Sequence, residues 1–319
     1  MDSYLNGTPP ALGVSSCLLG NNVRYNGGNK YHSFISLVLE KHFDLRPICP
    51  EVAIGMGVPR APVQLRILDG ELRAVGVGNH AQDVTTALQE YGQQQVTHAR
   101  AFCGYIFKSR SPSCGISDSK IFSENGVSAG PGIYARKILR TLPWLPAIDE
   151  TQLDQDETKD NFLERVFSLI RWHQFLTDPL TVKDLMDFHR THRLTLTAHS
   201  DKADRALSRI ISDLRDPVPH NGRDNYMKQF HDYLKIPLTH KDHVRMLTKL
   251  QQHLAPVISH VEQESLNAEI RNYRGNPEKL VIPLQTIKRL ADNYNLYNLA
   301  RQTYINPTPA EIALRYSKQ

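Results

Sequence analysis

Hydrophobic positions in the first 140 residues fall into short blocks of two kinds, and the two kinds alternate. Residues 11–16 (A-L-G-V-S-S), 43–49 (F-D-L-R-P-I-C) and 103–109 (C-G-Y-I-F-K-S) are compact runs that lead into loops, the pattern of buried strands. Between them, H-S-F-I-S-L-V-L-E-K-H at 32–42 sets Phe34, Leu37 and Val38 at helical spacing, and 81–101 also reads as a helix. Q-L-R-I-L-D-G-E-L-R-A-V at 64–75 reads as a hairpin turning at Asp69-Gly70. Strands alternating with helices predict an α/β domain, Rossmann-like, with a mainly parallel sheet.

From about residue 141 the texture changes. T-L-P-W-L-P-A-I-D-E-T-Q-L-D-Q-D-E-T-K-D combines prolines with an acidic run. It is expected to close a first domain at 1–148 and to supply a linker at 149–160 before a second domain at 161–319. Beyond it only helical periodicity remains. Phe162, Val166, Leu169 and His173 share one face of 160–176, and further helices are expected at 181–198, 202–214, 223–234, 240–269, 277–302 and 309–316. R-D-P-V-P-H-N-G at 215–222 breaks the pattern. The second half therefore reads as an all-α domain.

Composition narrows the function classes. A chain of 319 residues fits two domains, and 40% hydrophobic with 22% charged residues fits a globular protein. A formal charge of +5 is too small to demand a nucleic-acid partner. The start M-D-S-Y-L-N-G-T-P-P lacks the features of a secretory signal, and no apolar run is long enough for a membrane helix. A cytoplasmic location without membrane contact is expected, and nothing in the sequence specifies an oligomeric state. The four cysteines all lie in the first 114 residues. Without an export signal they do not form a disulfide framework; metal binding, catalysis or plain burial is expected instead.

Cys17, Cys49 and Cys114 each follow the carboxyl end of a different expected strand, where parallel sheets place their ligand sites. Cys103 lies inside an apolar strand and reads as a core residue. Thiolates select zinc, Cu(I) or iron–sulfur clusters. The paired C-x2-C spacing of structural zinc sites is absent, and single cysteines at separate strand ends suit a larger object such as a cubane cluster. By spacing alone, incidental buried cysteines explain the pattern equally well.

The words around the cysteines carry more. S-C-L-L-G-N-N-V-R-Y-N-G-G at 16–28, C-P-E-V-A-I-G-M-G-V-P-R at 49–60, F-K-S-R-S-P-S-C-G at 107–115 and G-P-G-I-Y-A-R at 130–136 together resemble the thiouracil desulfidase-like family, domain of unknown function 523. The resemblance implies a [4Fe-4S] cluster held by three cysteines, here Cys17, Cys49 and Cys114, whose open iron captures the sulfur of a small thiolated substrate. Asn22-Val23 stands where many members carry a further cysteine. The implied reaction is the non-redox desulfuration of a thiolated nucleobase or similar thiocarbonyl compound. Glu51 is then the first choice to position or deprotonate the attacking water. Ser111 or Ser113 relays a proton, and Arg24 and Arg60 offset negative charge or bind substrate. The plain readings of the same residues are a solvated carboxylate, turn-forming serines and surface arginines.

In the second half, F-H-R-T-H-R-L-T-L-T-A-H-S at 188–200 sets His189, His192 and His199 on roughly one helical face. A polar face packed on another element is expected there rather than a metal site. With L-T-V-K-D-L-M-D at 180–187, this segment resembles the YbgA-like domain of unknown function 1722, which is often fused behind the 523-type domain. Two readings outside enzymology remain: a non-catalytic iron–sulfur sensor or scaffold whose helical domain binds nucleic acid or a protein partner, and a zinc-stabilised interaction protein.

Overall fold

In the computed structural model, residues 8–176 and 178–315 are described. The chain divides into two units between Asp156 and Glu157. The first unit holds a four-stranded sheet in the order β2-β1-β5-β8, formed by β1 (Ala11–Ser15), β2 (Asp44–Ile48), β5 (Phe102–Phe107) and β8 (Ala147–Asp149). All of its pairings are parallel. β5 is buried along its whole length, and Tyr105 stacks on Phe107 with ring centroids 3.8 Å apart. That two-sided burial explains why its sequence reads as an unbroken apolar run.

The expected hairpin is part of a second sheet, whose other two strands sequence patterning did not reveal, in the order β4-β3-β6-β7. Its strands are β3 (Val63–Leu68), β4 (Glu71–Gly76), β6 (Ser119–Ser123) and β7 (Gly126–Gly130). The β3–β4 hairpin turns at Asp69 and Gly70 with φ of 51° and 76°, the positive values that an Asp-Gly pair accepts at little cost. Helices α1 (Pro50–Ala53), α2 (Thr85–Ala99), α3 (Ile133–Thr141) and α4 (Glu150–Leu153) complete the unit. The segment 32–42, expected as one helix, is a π turn at Phe34–Val38 followed by a 3-10 turn at Leu39–Lys41. The stretch 149–160, expected as a linker, holds the end of β8, α4 and the start of the next helix.

The second unit is helical: α5 (Asp156–Phe175), α6 (Val182–Thr191), α7 (Arg193–His199), α8 (Ala203–Ser212), α9 (His220–Leu234), α10 (His240–Leu254), α11 (His260–Gly275), α12 (Val281–Asn293), α13 (Tyr297–Ala300) and α14 (Pro309–Arg315). Three expected single helices are each two. The break inside 240–269 begins at Ala255, just before Pro256, and Ser259 then starts α11 with a capping box to Glu262. Leu247, Leu254, Leu266, Ile287 and Leu290 lie in the core these helices share.

The helical unit also buries histidines. Burial lowers His192 to about 3 and His243 to about 4, and it pushes His231 well below the usual histidine range. Neither ring nitrogen of His231 has a hydrogen-bond partner among the described residues. The unfolded chain takes up protons on these rings below pH 6.5, whereas in the folded chain His192 and His243 do so only near pH 3 and 4. Stability from this source is therefore complete above pH 6.5 and is lost as pH falls, by about 1.4 kcal/mol per ring for each pH unit. Urea unfolding followed by helical circular dichroism should show a clearly lower midpoint at pH 5 than at pH 7; equal midpoints would refute this.

Candidate active site

Because β1, β2 and β5 are parallel, their carboxyl ends open on one edge of the sheet, and the loops that follow converge there. Cys17 sits in the 3-10 turn Ser16–Leu19 directly after β1, and Cys49 follows β2 as the N-cap of α1. Cys114 lies in the loop after β5. The three thiols, with Glu51, Lys108 and Glu150, line one cavity of about 570 Å³. Cys17 and Cys114 are buried and Cys49 is half-buried. Among the described residues no three His, Cys, Asp or Glu side chains are close enough to hold a single metal ion. The thiols border a space and do not meet at a point.

The Cys114 loop is fixed by the helix that follows. The backbone N–H groups of Gly132, Ile133 and Ala135 donate to the carbonyls of Gly115, Pro112 and Ser113 at 2.8, 3.0 and 3.0 Å. The first turn of α3 thus satisfies its own orphan donors by gripping the loop. A Cβ on Gly132 would lie 2.5 Å from the Ser113 carbonyl carbon and 2.7 Å from the Pro112 oxygen. Gly132→Ala should therefore cost about 1–3 kcal/mol, because backbone has to move to admit the methyl group. Thermal unfolding of the purified variant checks this, and an unchanged midpoint would contradict it.

Around the cavity the side chains pair specifically. Glu51 Oε2 accepts from Arg60 Nε at 2.8 Å and Nη2 at 2.7 Å, while Oε1 accepts from the Ser113 hydroxyl at 2.8 Å. The Arg60 side chain is only 5% exposed, so it is no surface arginine. Ser113 is fully buried and does not line the cavity. Ser111 does line it, and its Oγ accepts from the N–H groups of Cys114 at 3.0 Å and Ser113 at 3.3 Å. Arg24 lies over the ring of Tyr25, 5.6 Å from its centroid, at the same cavity. Cys103 is buried and is not part of the lining.

Burial pushes the Cys17 thiol up to about 11, with Lys108 the strongest influence in the other direction. Burial also raises Cys49, and it lifts Cys114 well above the ordinary thiol range. The shifts favour the protonated thiols, so a soft metal bound by them would have to displace their protons.

Sequence reasoning missed a second charged group on this cavity. Phe107 and Asp149 are register partners on β5 and β8, so the next residues, Lys108 and Glu150, emerge side by side. Lys108 Nζ is in close contact with Glu150 Oε1 and donates to the Ser109 carbonyl at 3.0 Å. Glu150 also accepts from Ser109 N at 2.8 Å and Ser109 Oγ at 2.7 Å. A local signal existed: D-E-T-Q at 149–152 is a helix start, with Asp149 Oδ1 accepting from Thr151 N and Gln152 N.

In the helical unit the three expected histidines do not act together. The helix ends at His192 and restarts, which separates them. His189 pairs with Asp204 at 3.0 Å and Tyr226 at 3.1 Å, His192 with the Phe188 carbonyl at 2.8 Å, and His199 with Glu164 at 3.0 Å.

Fold and site together define a two-unit protein with a thiol-lined cavity at the carboxyl edge of a parallel sheet and an all-α second unit. Residues 12–150 match the family model of 2-thiouracil desulfurase, and residues 193–309 match DUF1722, a protein family of unknown function. The uncharacterized protein YbgA of Escherichia coli (strain K12) is 30% identical over 162 residues, covering 50% of this chain and 94% of YbgA. A solved structure of the [4Fe-4S]-dependent thiouracil desulfidase TudS is 29% identical, covers 45% of this chain and 93% of TudS, and superposes with a TM-score of 0.36. The chain belongs to the family in which a 2-thiouracil desulfurase domain is joined to a DUF1722 domain of the YbgA type.

Proposed function

We propose that this chain removes sulfur hydrolytically from a thiolated nucleobase or similar small thiocarbonyl compound, using a [4Fe-4S] cluster held by Cys17, Cys49 and Cys114. The observation that carries the reading is that three thiols and Glu51 border the same cavity. The donor set fits the cofactor, because soft thiolates from three separate loops enclose room for a cluster and leave it short of one protein ligand. Arg24, Arg60 and Lys108 line the same cavity and supply positive charge for an anionic sulfur centre. When bound, the cluster would provide an open iron as Lewis acid to polarise a thiocarbonyl group.

The chain's own residues then handle water and protons. Glu51 is the general base: its carboxylate has about four acceptor sites, and the contacts from Arg60 and Ser113 leave capacity for a water proton. Arg60 and Ser113 hold the carboxylate in place, so Ser113 acts as its orienting partner. Ser111 is the better candidate to donate toward the reacting atoms, since it borders the cavity and two backbone N–H groups already occupy its oxygen. The balance is a thiocarbonyl plus water giving a carbonyl plus hydrogen sulfide, with no electron supplied from outside. Anaerobically reconstituted protein should release hydrosulfide and uracil in equal amounts from 2-thiouracil. Cluster-loaded protein that releases none from a panel of thionucleobases would refute the reading.

A further inference from the structure

We propose that Lys108 and Glu150 form a charge clamp for the cluster site, with Lys108 as the positioned counter-ion of the anionic centre and Glu150 as the group that fixes it. This rests on the proposed cluster function. Lys108 and Glu150 are only 17% and 13% exposed, and both line the cavity. A sequestered ion pair of this kind adds little net stability, since desolvation consumes most of the Coulomb gain. Its position at the wall of a three-thiol cavity puts the ammonium beside the site of the anionic centre.

The geometry restricts where Lys108 can go. Its backbone N–H donates to Ser15 Oγ at 2.9 Å, which ties its position to the end of β1, two residues before Cys17. Its ammonium is held by Glu150, the Ser109 carbonyl and the Ser109 hydroxyl, the last two at 3.0 and 2.9 Å. Glu150 in turn is fixed by both donors of Ser109. The arrangement repeats, on another wall, the grouping of carboxylate, cation and serine made by Glu51, Arg60 and Ser113. The first grouping serves the water; the second serves the charge of the cluster and its thiolates. Both Lys108 and Glu150 act as positioning residues.

Three variants of the reconstituted full chain test this through the reduction potential of the cluster and its rate of loss to a chelator. Lys108→Met removes a positive charge and should lower the potential and speed cluster loss roughly tenfold, the change expected for about 1.4 kcal/mol. Lys108→Arg should restore both. Glu150→Gln keeps an oxygen that accepts from Lys108 while removing a negative charge, so it should move the potential in the opposite direction. A merely structural role would shift Lys108→Met and Glu150→Gln the same way, and that result, or a potential indifferent to Lys108→Met, would overturn the inference while leaving the proposed function standing. Wild-type protein that takes up no cluster would overturn both.

Discussion

Glu51→Gln should keep its cluster and lose at least about 100-fold in turnover of 2-thiouracil, the lower end of what a general base contributes. Glutamine preserves the shape of the side chain and one acceptor oxygen, so the contact with Ser113 or Arg60 persists. It cannot take a proton from water. Loading should be indifferent to the change because Glu51 supplies no sulfur. The chromophore and the iron content report loading, and hydrosulfide release reports turnover. Full activity in a loaded Glu51→Gln protein would remove Glu51 from the chemistry.

Cys114→Ser should abolish the cluster chromophore and reduce hydrosulfide release to background, while Cys103→Ala should retain both. A serine hydroxyl fits the space of the thiol but is a harder donor that does not ionise at working pH. Cys114 lines the cavity, whereas Cys103 lies within β5 and away from it. Because both residues are buried in the same unit, a difference between the variants reports ligation and not general damage. Equal iron retention in the two proteins would contradict the ligand assignment.

Much of the site was legible because its signals are local. The apolar runs before Cys17, Cys49 and Cys114 mark strand ends, and Asp69-Gly70 marks its hairpin, with no knowledge of the rest of the chain. Glu150 was not legible as a site residue. In sequence it sits in an acidic, proline-flanked stretch, and its significance comes from β8 pairing beside β5, a contact between segments about 40 residues apart. The other half of the second sheet was hidden for a similar reason. Ser119–Ser123 and Gly126–Gly130 are short and largely polar or small; they pair with each other, and only the first reaches β3, through a tertiary contact. Ser111 and Ser113 could not be told apart by pattern, since only the loop gripped by α3 turns one toward Glu51 and leaves the other at the cavity wall. In sequence Arg60 reads as a cavity or a surface arginine, and its burial against Glu51 is visible only once the loop after Cys49 has folded back.

The most direct test of hydrolysis in this cavity is turnover of 2-thiouracil in 18O-labelled water, under anaerobic conditions and with no reductant present. Hydrosulfide together with uracil carrying one labelled oxygen is the predicted result. Unlabelled uracil, or turnover that begins only when an electron donor is added, would contradict it.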